Sequence, residues 1–176
     1  EFGIFATASA TGVILSRLLA FGFVSPVYRV ATVKPRLLGA YLAGFAVLGL
    51  LSLPLLALAS WGAYALLFAG KVALLPFATI ILAEVLGWRL VELVAIVNNG
   101  MRRFREAALL VVIGSGLRTL AAIGFYLQAQ PTLEGWAFAY LGATALSALI
   151  GFLVFLPRMR LAFVLALYPR RMADAL

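Results

Sequence analysis

Five long apolar stretches, separated by short loops that alternate between arginine-rich and nearly uncharged, fill this 176-residue chain. A hydrocarbon core of about 30 Å takes about 20 mostly apolar residues in a helix to cross. The stretches Ile4–Phe23, Leu38–Ala59, Lys71–Val97, Ala107–Gln128 and Trp136–Leu156 are each long enough. With 65% hydrophobic and 11% charged residues, the composition opposes a soluble domain. The expected architecture is an all-α integral membrane protein, one bundle of five transmembrane helices (about 4–23, 38–59, 71–97, 107–128 and 136–156) occupying 1–176.

The charges supply an orientation. Arg29, Lys34 and Arg36 lie in one loop, Arg102, Arg103 and Arg105 in another, and Arg158, Arg160, Arg170 and Arg171 in the tail. By contrast, Ser60–Gly70 carries no charge, and Ala129–Gly135 carries only Glu134. Short loops rich in Lys and Arg stay on the cytoplasmic side. The N-terminus is therefore expected outside and the C-terminus inside. The net charge of +8 is then explained by membrane-proximal turns that meet anionic lipid headgroups, without nucleic acid. Trp61, Tyr64, Trp136, Tyr140, Tyr28 and Tyr168 all fall near expected helix ends, where aromatic rings favour the headgroup layer.

The chain has no cysteine and no histidine. Disulfides, thiol chemistry, most zinc sites and a Ser–His–Asp triad are excluded. The acids Glu1, Glu84, Glu92, Glu106, Glu134 and Asp174 are scattered, with no paired-aspartate motif. No enzyme activity and no cofactor are expected.

Glu1-Phe2-Gly3 opens without methionine or a signal-peptide n-region, which reads as a fragment whose first helix lies upstream. Leu161–Tyr168 is apolar for too short a run to span. Pro54 and Pro76 fall within the second and third stretches, as static irregularities or as hinges. Pro131-Thr132 marks a helix start, with Thr132 as N-cap and Glu134 favoured by the helix dipole. Small residues (Gly39, Ala43 and Ala46; Gly114 and Gly116; Gly142, Ala145 and Ala148) form faces for close helix packing.

Five charges fall inside the expected spans: Arg17, Glu84, Arg89, Glu92 and Arg118. Each costs about 2.5–3.5 kcal/mol at mid-membrane, so each needs a partner or a watery cavity. Arg89 and Glu92 are neighbours on a helix surface, and Glu84 projects within about a quarter turn of Glu92. Two readings stand: a neutralised Glu–Arg–Glu packing cluster, or a polar wall on which a glutamate takes up a proton. Arg17 and Arg118 have no acid within four residues. Arg17 can snorkel. Arg118 either pairs with Glu84 or Glu92 across the bundle or lines an anion-accepting cavity, where its planar fork suits phosphate.

Glu1-Phe2-Gly3-Ile4-Phe5-Ala6 followed by Phe21-Gly22-Phe23 resembles the second transmembrane helix of polysaccharide and O-antigen flippases of the Wzx type. The run Asn98 to Ala107, leading into Gly116-Leu117-Arg118, looks like the connection between their fourth and fifth helices. Pro131-Thr132-Leu133-Glu134-Gly135-Trp136-Ala137 is similar to their turn into the sixth. The resemblance implies the multidrug/oligosaccharidyl-lipid/polysaccharide exporter superfamily, whose members have two six-helix lobes around a cavity. This chain would be helices two to six of the N-terminal lobe, without the first helix and the C-terminal lobe. It implies a bacterial inner-membrane protein that moves undecaprenyl-pyrophosphate-linked oligosaccharide outward by alternating access, with H+ or Na+ as coupling ion. Arg17 and Arg118 would be the cavity cations. A drug or metabolite exporter of the same superfamily would weight Glu84 and Glu92 instead. A non-transporting subunit or enzyme of polysaccharide assembly is the alternative of a different class.

Overall fold

The computed structural model describes residues 2–127 and 132–156, and every regular element among them is helical. Expectations resting on Glu1, Gln128, Pro131 and the tail with Arg158, Arg160, Leu161–Tyr168, Arg170, Arg171 and Asp174 lie outside the described residues. The helices are α1 (Phe2–Ser16), α2 (Val24–Val33), α3 (Leu38–Ala63), α4 (Leu74–Leu82), α5 (Arg89–Gly100), α6 (Phe104–Tyr126) and α7 (Leu133–Ile150). One turn of wider π-helix prolongs α3 (Tyr64–Phe68), another joins α4 to α5 (Ala83–Trp88), and a third prolongs α7 (Gly151–Phe155).

Among the described residues three helices, not five, are long and apolar enough to cross a membrane: Pro35–Phe68, Phe104–Tyr126 and Leu133–Phe155. The first expected span fails because its helix stops at Ser16. Beyond it Ala20 and Phe21 take φ values of 51° and 50°, and Gly22 takes 75°. Left-handed backbone costs a residue other than glycine roughly 1–2 kcal/mol, so something must hold this turn. On α3, the fully buried Ser52 accepts the Ala20 N–H at 3.0 Å and donates to the Gly49 carbonyl at 2.8 Å. The chain then resumes as α2, a helix where the sequence suggested a basic loop. Its buried side is Val24, Val27 and Ala31, and Arg29 is exposed. The third expected span is divided into α4, its π turn and α5, which follow one another without leaving helical geometry.

Contacts fix the directions. A Cβ at Gly12 would come within 2.8 Å of the Glu84 Cβ, and one at Gly100 within 2.6 Å of the Ala31 Cβ. Only glycine permits either approach. Together they lay the interrupted α1–α2 alongside α4–α5 and parallel to it. α7 runs the same way, with Tyr140 beside Glu84 and Thr144 beside Gly87. Farther along, the Asn98 side-chain amide donates to the Phe155 carbonyl at 3.1 Å. α6 returns antiparallel, pairing Phe125 with Trp136, Gly114 with Ser147 and Leu110 with Gly151. The ends of α2, α5 and α7 thus come together, and the basic stretches at Lys34–Arg36 and Arg102–Arg105 share one end of the bundle.

The centre is α4–α5. Ile80, Ile81, Val85, Leu93 and Val97 pack with α1, α2 and α3, while Val91, Val94 and Ala95 pack with α6 and α7. Pro76 sits in the first turn of α4, where a missing N–H costs nothing, and α3 stays helical through Pro54. The packed face of α7 is Thr144, Ser147, Ala148 and Gly151 rather than the expected Gly142 and Ala145, which are exposed. Gly114 does pack, against Trp88 and Ser147, whereas Gly116 faces open space.

Candidate functional site

Glu84, one of two charged residues only 3% exposed among the described residues, lies in the π turn between α4 and α5. A π turn inserts a residue and rotates the side chains that follow it. Glu84 is thereby turned toward α1 and α7, and Trp88 toward α6. Ser9 of α1 donates its hydroxyl to Glu84 Oε1 at 2.6 Å. Tyr140 of α7 donates to the same oxygen at 2.5 Å. From α6, Arg118 Nη1 donates to the Tyr140 oxygen at 3.4 Å, and its guanidinium lies 3.8 Å from the Trp88 ring centroid. An arginine over an indole face gains cation–π attraction, more so away from water.

Aromatic rings close the site at its α7 start. Phe5 meets Trp136 and Tyr140 edge-on at 5.4 and 5.3 Å, and Phe125 lies 5.4 Å from Trp136. Edge-to-face rings at such spacing add attraction beyond the area they cover. They also hold the Tyr140 ring so that its hydroxyl points at the carboxylate. Thr132 caps this helix as expected, its side chain accepting the Gly135 N–H at 3.1 Å.

The expected Glu–Arg–Glu cluster divides in two. Arg89, 3% exposed, pairs with Glu92 one helical turn on, while Glu84 joins the hydroxyl network. Among the described residues Arg89 Nε has no hydrogen-bond partner. Arg118 forms no ion pair with Glu84 or Glu92 and reaches Glu84 only through Tyr140. Arg17 lies just past the end of α1, exposed, and not in mid-span. The structure therefore brings Glu84 and Arg118 into one site, keeps Arg89 and Glu92 as a separate pair, and leaves Arg17 apart.

Ser9, Trp88 and Tyr140 were missed from the sequence. Tyr140 is buried in the network rather than anchored at the interface, and Tyr64, half-buried at the end of α3, donates to the Val72 carbonyl at 3.0 Å. The available signal was Ser9 and Gly12, three residues apart and so on one helix face, a polar residue beside one that allows close approach.

Chemically, the arrangement offers a buried carboxylate with two hydroxyl donors and a cation one hydroxyl away. Protonating Glu84, or drawing Arg118 toward an anion, would change how α1, α6 and α7 are tied to the central helix. No protein-family model, curated protein or solved structure matches this chain.

Proposed function

We propose that this chain is part of a transporter that moves undecaprenyl-pyrophosphate-linked oligosaccharide across the bacterial inner membrane. In this reading Glu84, Tyr140 and Arg118 form its polar centre. The supporting observation is a carboxylate 3% exposed that gathers hydroxyls from α1 and α7, with the α6 arginine on the same tyrosine. Ionisable groups at membrane depth are costly, and they mark substrate or ion paths. The interruption of α1–α2 fits the same reading, because discontinuous helices line the paths of many transporters. α1–α2 and α4–α5 each cross the bilayer in addition to the three long apolar helices. The basic ends are cytoplasmic and the N-terminus is outside. Arg118, half-buried and stacked on Trp88, presents the donor fork that a pyrophosphate takes.

The test is reconstitution in liposomes with lipid-linked oligosaccharide confined at first to the inner leaflet. Appearance of the sugar at the outer surface is followed with a membrane-impermeant glycosidase. The full transporter of which this chain is part should raise that rate, and Arg118→Gln and Glu84→Leu within it should abolish the rise while still folding. No rise with the unaltered full transporter ends the flippase reading.

One observation favours the superfamily's other branch, a proton-coupled exporter of drugs or metabolites: the deepest charge of the network is the acid, not an arginine. In that case dye efflux driven by a pH gradient would be lost in Glu84→Gln and kept in Arg118→Gln.

A further inference from the structure

Away from the Glu84 network, α2 and the first turn of α3 enclose a concavity of about 510 Å³ whose lining includes Ser25, Arg29, Lys34 and Tyr41, with Val30 and Val33 as apolar wall. Arg29 and Lys34 are exposed, and neither is in an ion pair among the described residues. Two cations that line one concavity repel unless an anion sits between them. Tyr41 is half-buried and stacks on Phe23 at 5.9 Å, which fixes one wall.

Depth supplies a second argument. The apolar helical run that contains α3 begins at Pro35, so Tyr41 lies six residues, about 9 Å, inside the start of that run. Lys34 stands at the mouth, and the exposed Val33 faces outward beside it. The concavity thus runs from Lys34 and Val33 at the bundle end to Arg29 about one turn deeper, a depth at which a lipid headgroup meets protein. It also opens at the end of the bundle that carries both described basic stretches, the end that positive-inside orientation turns toward the anionic leaflet.

We propose that this concavity binds the headgroup phosphate of an anionic phospholipid from the bilayer. Arg29 and Lys34 take the phosphate oxygens, and Val30 and Val33 give the headgroup an apolar wall. The site does not depend on the chain being a transporter.

The full chain in neutral detergent, titrated with phosphatidylglycerol or phosphatidylcholine and observed by native mass spectrometry, tests this. Phosphatidylglycerol should be retained in preference to phosphatidylcholine. Arg29→Gln with Lys34→Gln should weaken its retention about thirtyfold, each cation contributing about fivefold. Arg102→Gln with Arg105→Gln, exposed cations elsewhere at the same end, should leave retention within about twofold. All these positions are exposed, so unchanged melting in the same detergent is expected for each variant. Equal loss in the two double variants would mean general attraction to a basic surface and overturn the site. Displacement of the lipid by millimolar inorganic phosphate alone would overturn the lipid as occupant.

Discussion

α6 and the helix running from Leu74 to Gly100 are of comparable length but occupy opposite positions. α6 buries Ala107, Leu110 and Gly114, and only 11% of its most apolar window is inside the bundle. Val112, Leu120 and Ile123 all face outward. The Leu74–Gly100 helix carries Glu84, Arg89, Glu92 and Asn98, yet it is wrapped by α1, α2, α6 and α7. In water the apolar helix would be the one enclosed. In lipid an apolar side chain gains little by moving from acyl chains to protein, so the polar groups decide which helix goes inside.

The largest effect should come from breaking the pair within that central helix. Glu92→Ala leaves the buried Arg89 uncompensated and should cost about 3 kcal/mol, read by steric trapping in bicelles. A cost below about 1 kcal/mol would mean that Arg89 has water or another partner. Next, Glu84→Leu removes the acceptor of both Ser9 and Tyr140 and should cost about 2–3 kcal/mol. Glu84→Gln keeps an acceptor oxygen and should cost about half as much. Gly100→Ala forces α2 away from α5 and should cost about 1–2 kcal/mol, with faster proteolysis in the α2 region. Ser52→Ala strips the Ala20 N–H of its acceptor and should cost about 1 kcal/mol. At the bottom, Leu120→Ala and Val112→Ala on the lipid face of α6 should stay within about 0.5 kcal/mol. Equal costs at Leu120 and Glu84 would erase the contrast between the two helices.

The membrane character and three of the spans were legible because length and hydropathy alone define them. The α1 break was not. Ile4–Phe23 is apolar throughout apart from Arg17 and a few small polar residues, and Gly22 is the one visible cue for a turn held by a serine more than thirty residues away. α2 was read as a loop because three cations near its end outweighed the buried spacing of Val24, Val27 and Ala31. Within the site, Glu84 and Arg118 stood out as charges in apolar sequence. Tyr140, which joins them, did not, because a tyrosine one to two turns into a span has the same local signature as an interfacial anchor. Which charges meet depends on helix rotation, and the π turn at Ala83–Trp88 resets that rotation without a mark in the sequence.

The central claim, that the charged helix is enclosed and α6 faces lipid, can be tested directly with a lipid carrying a photoactivatable carbene precursor on its acyl chain, because a carbene inserts into C–H bonds without needing an ionised side chain. The probe would be activated in native membranes and its insertion located by mass spectrometry. Strong labelling at Val112 and Leu120 with little at Val91 and Val94 is the predicted result. Labelling at Val91 and Val94 as strong as at Val112 and Leu120 would contradict the account.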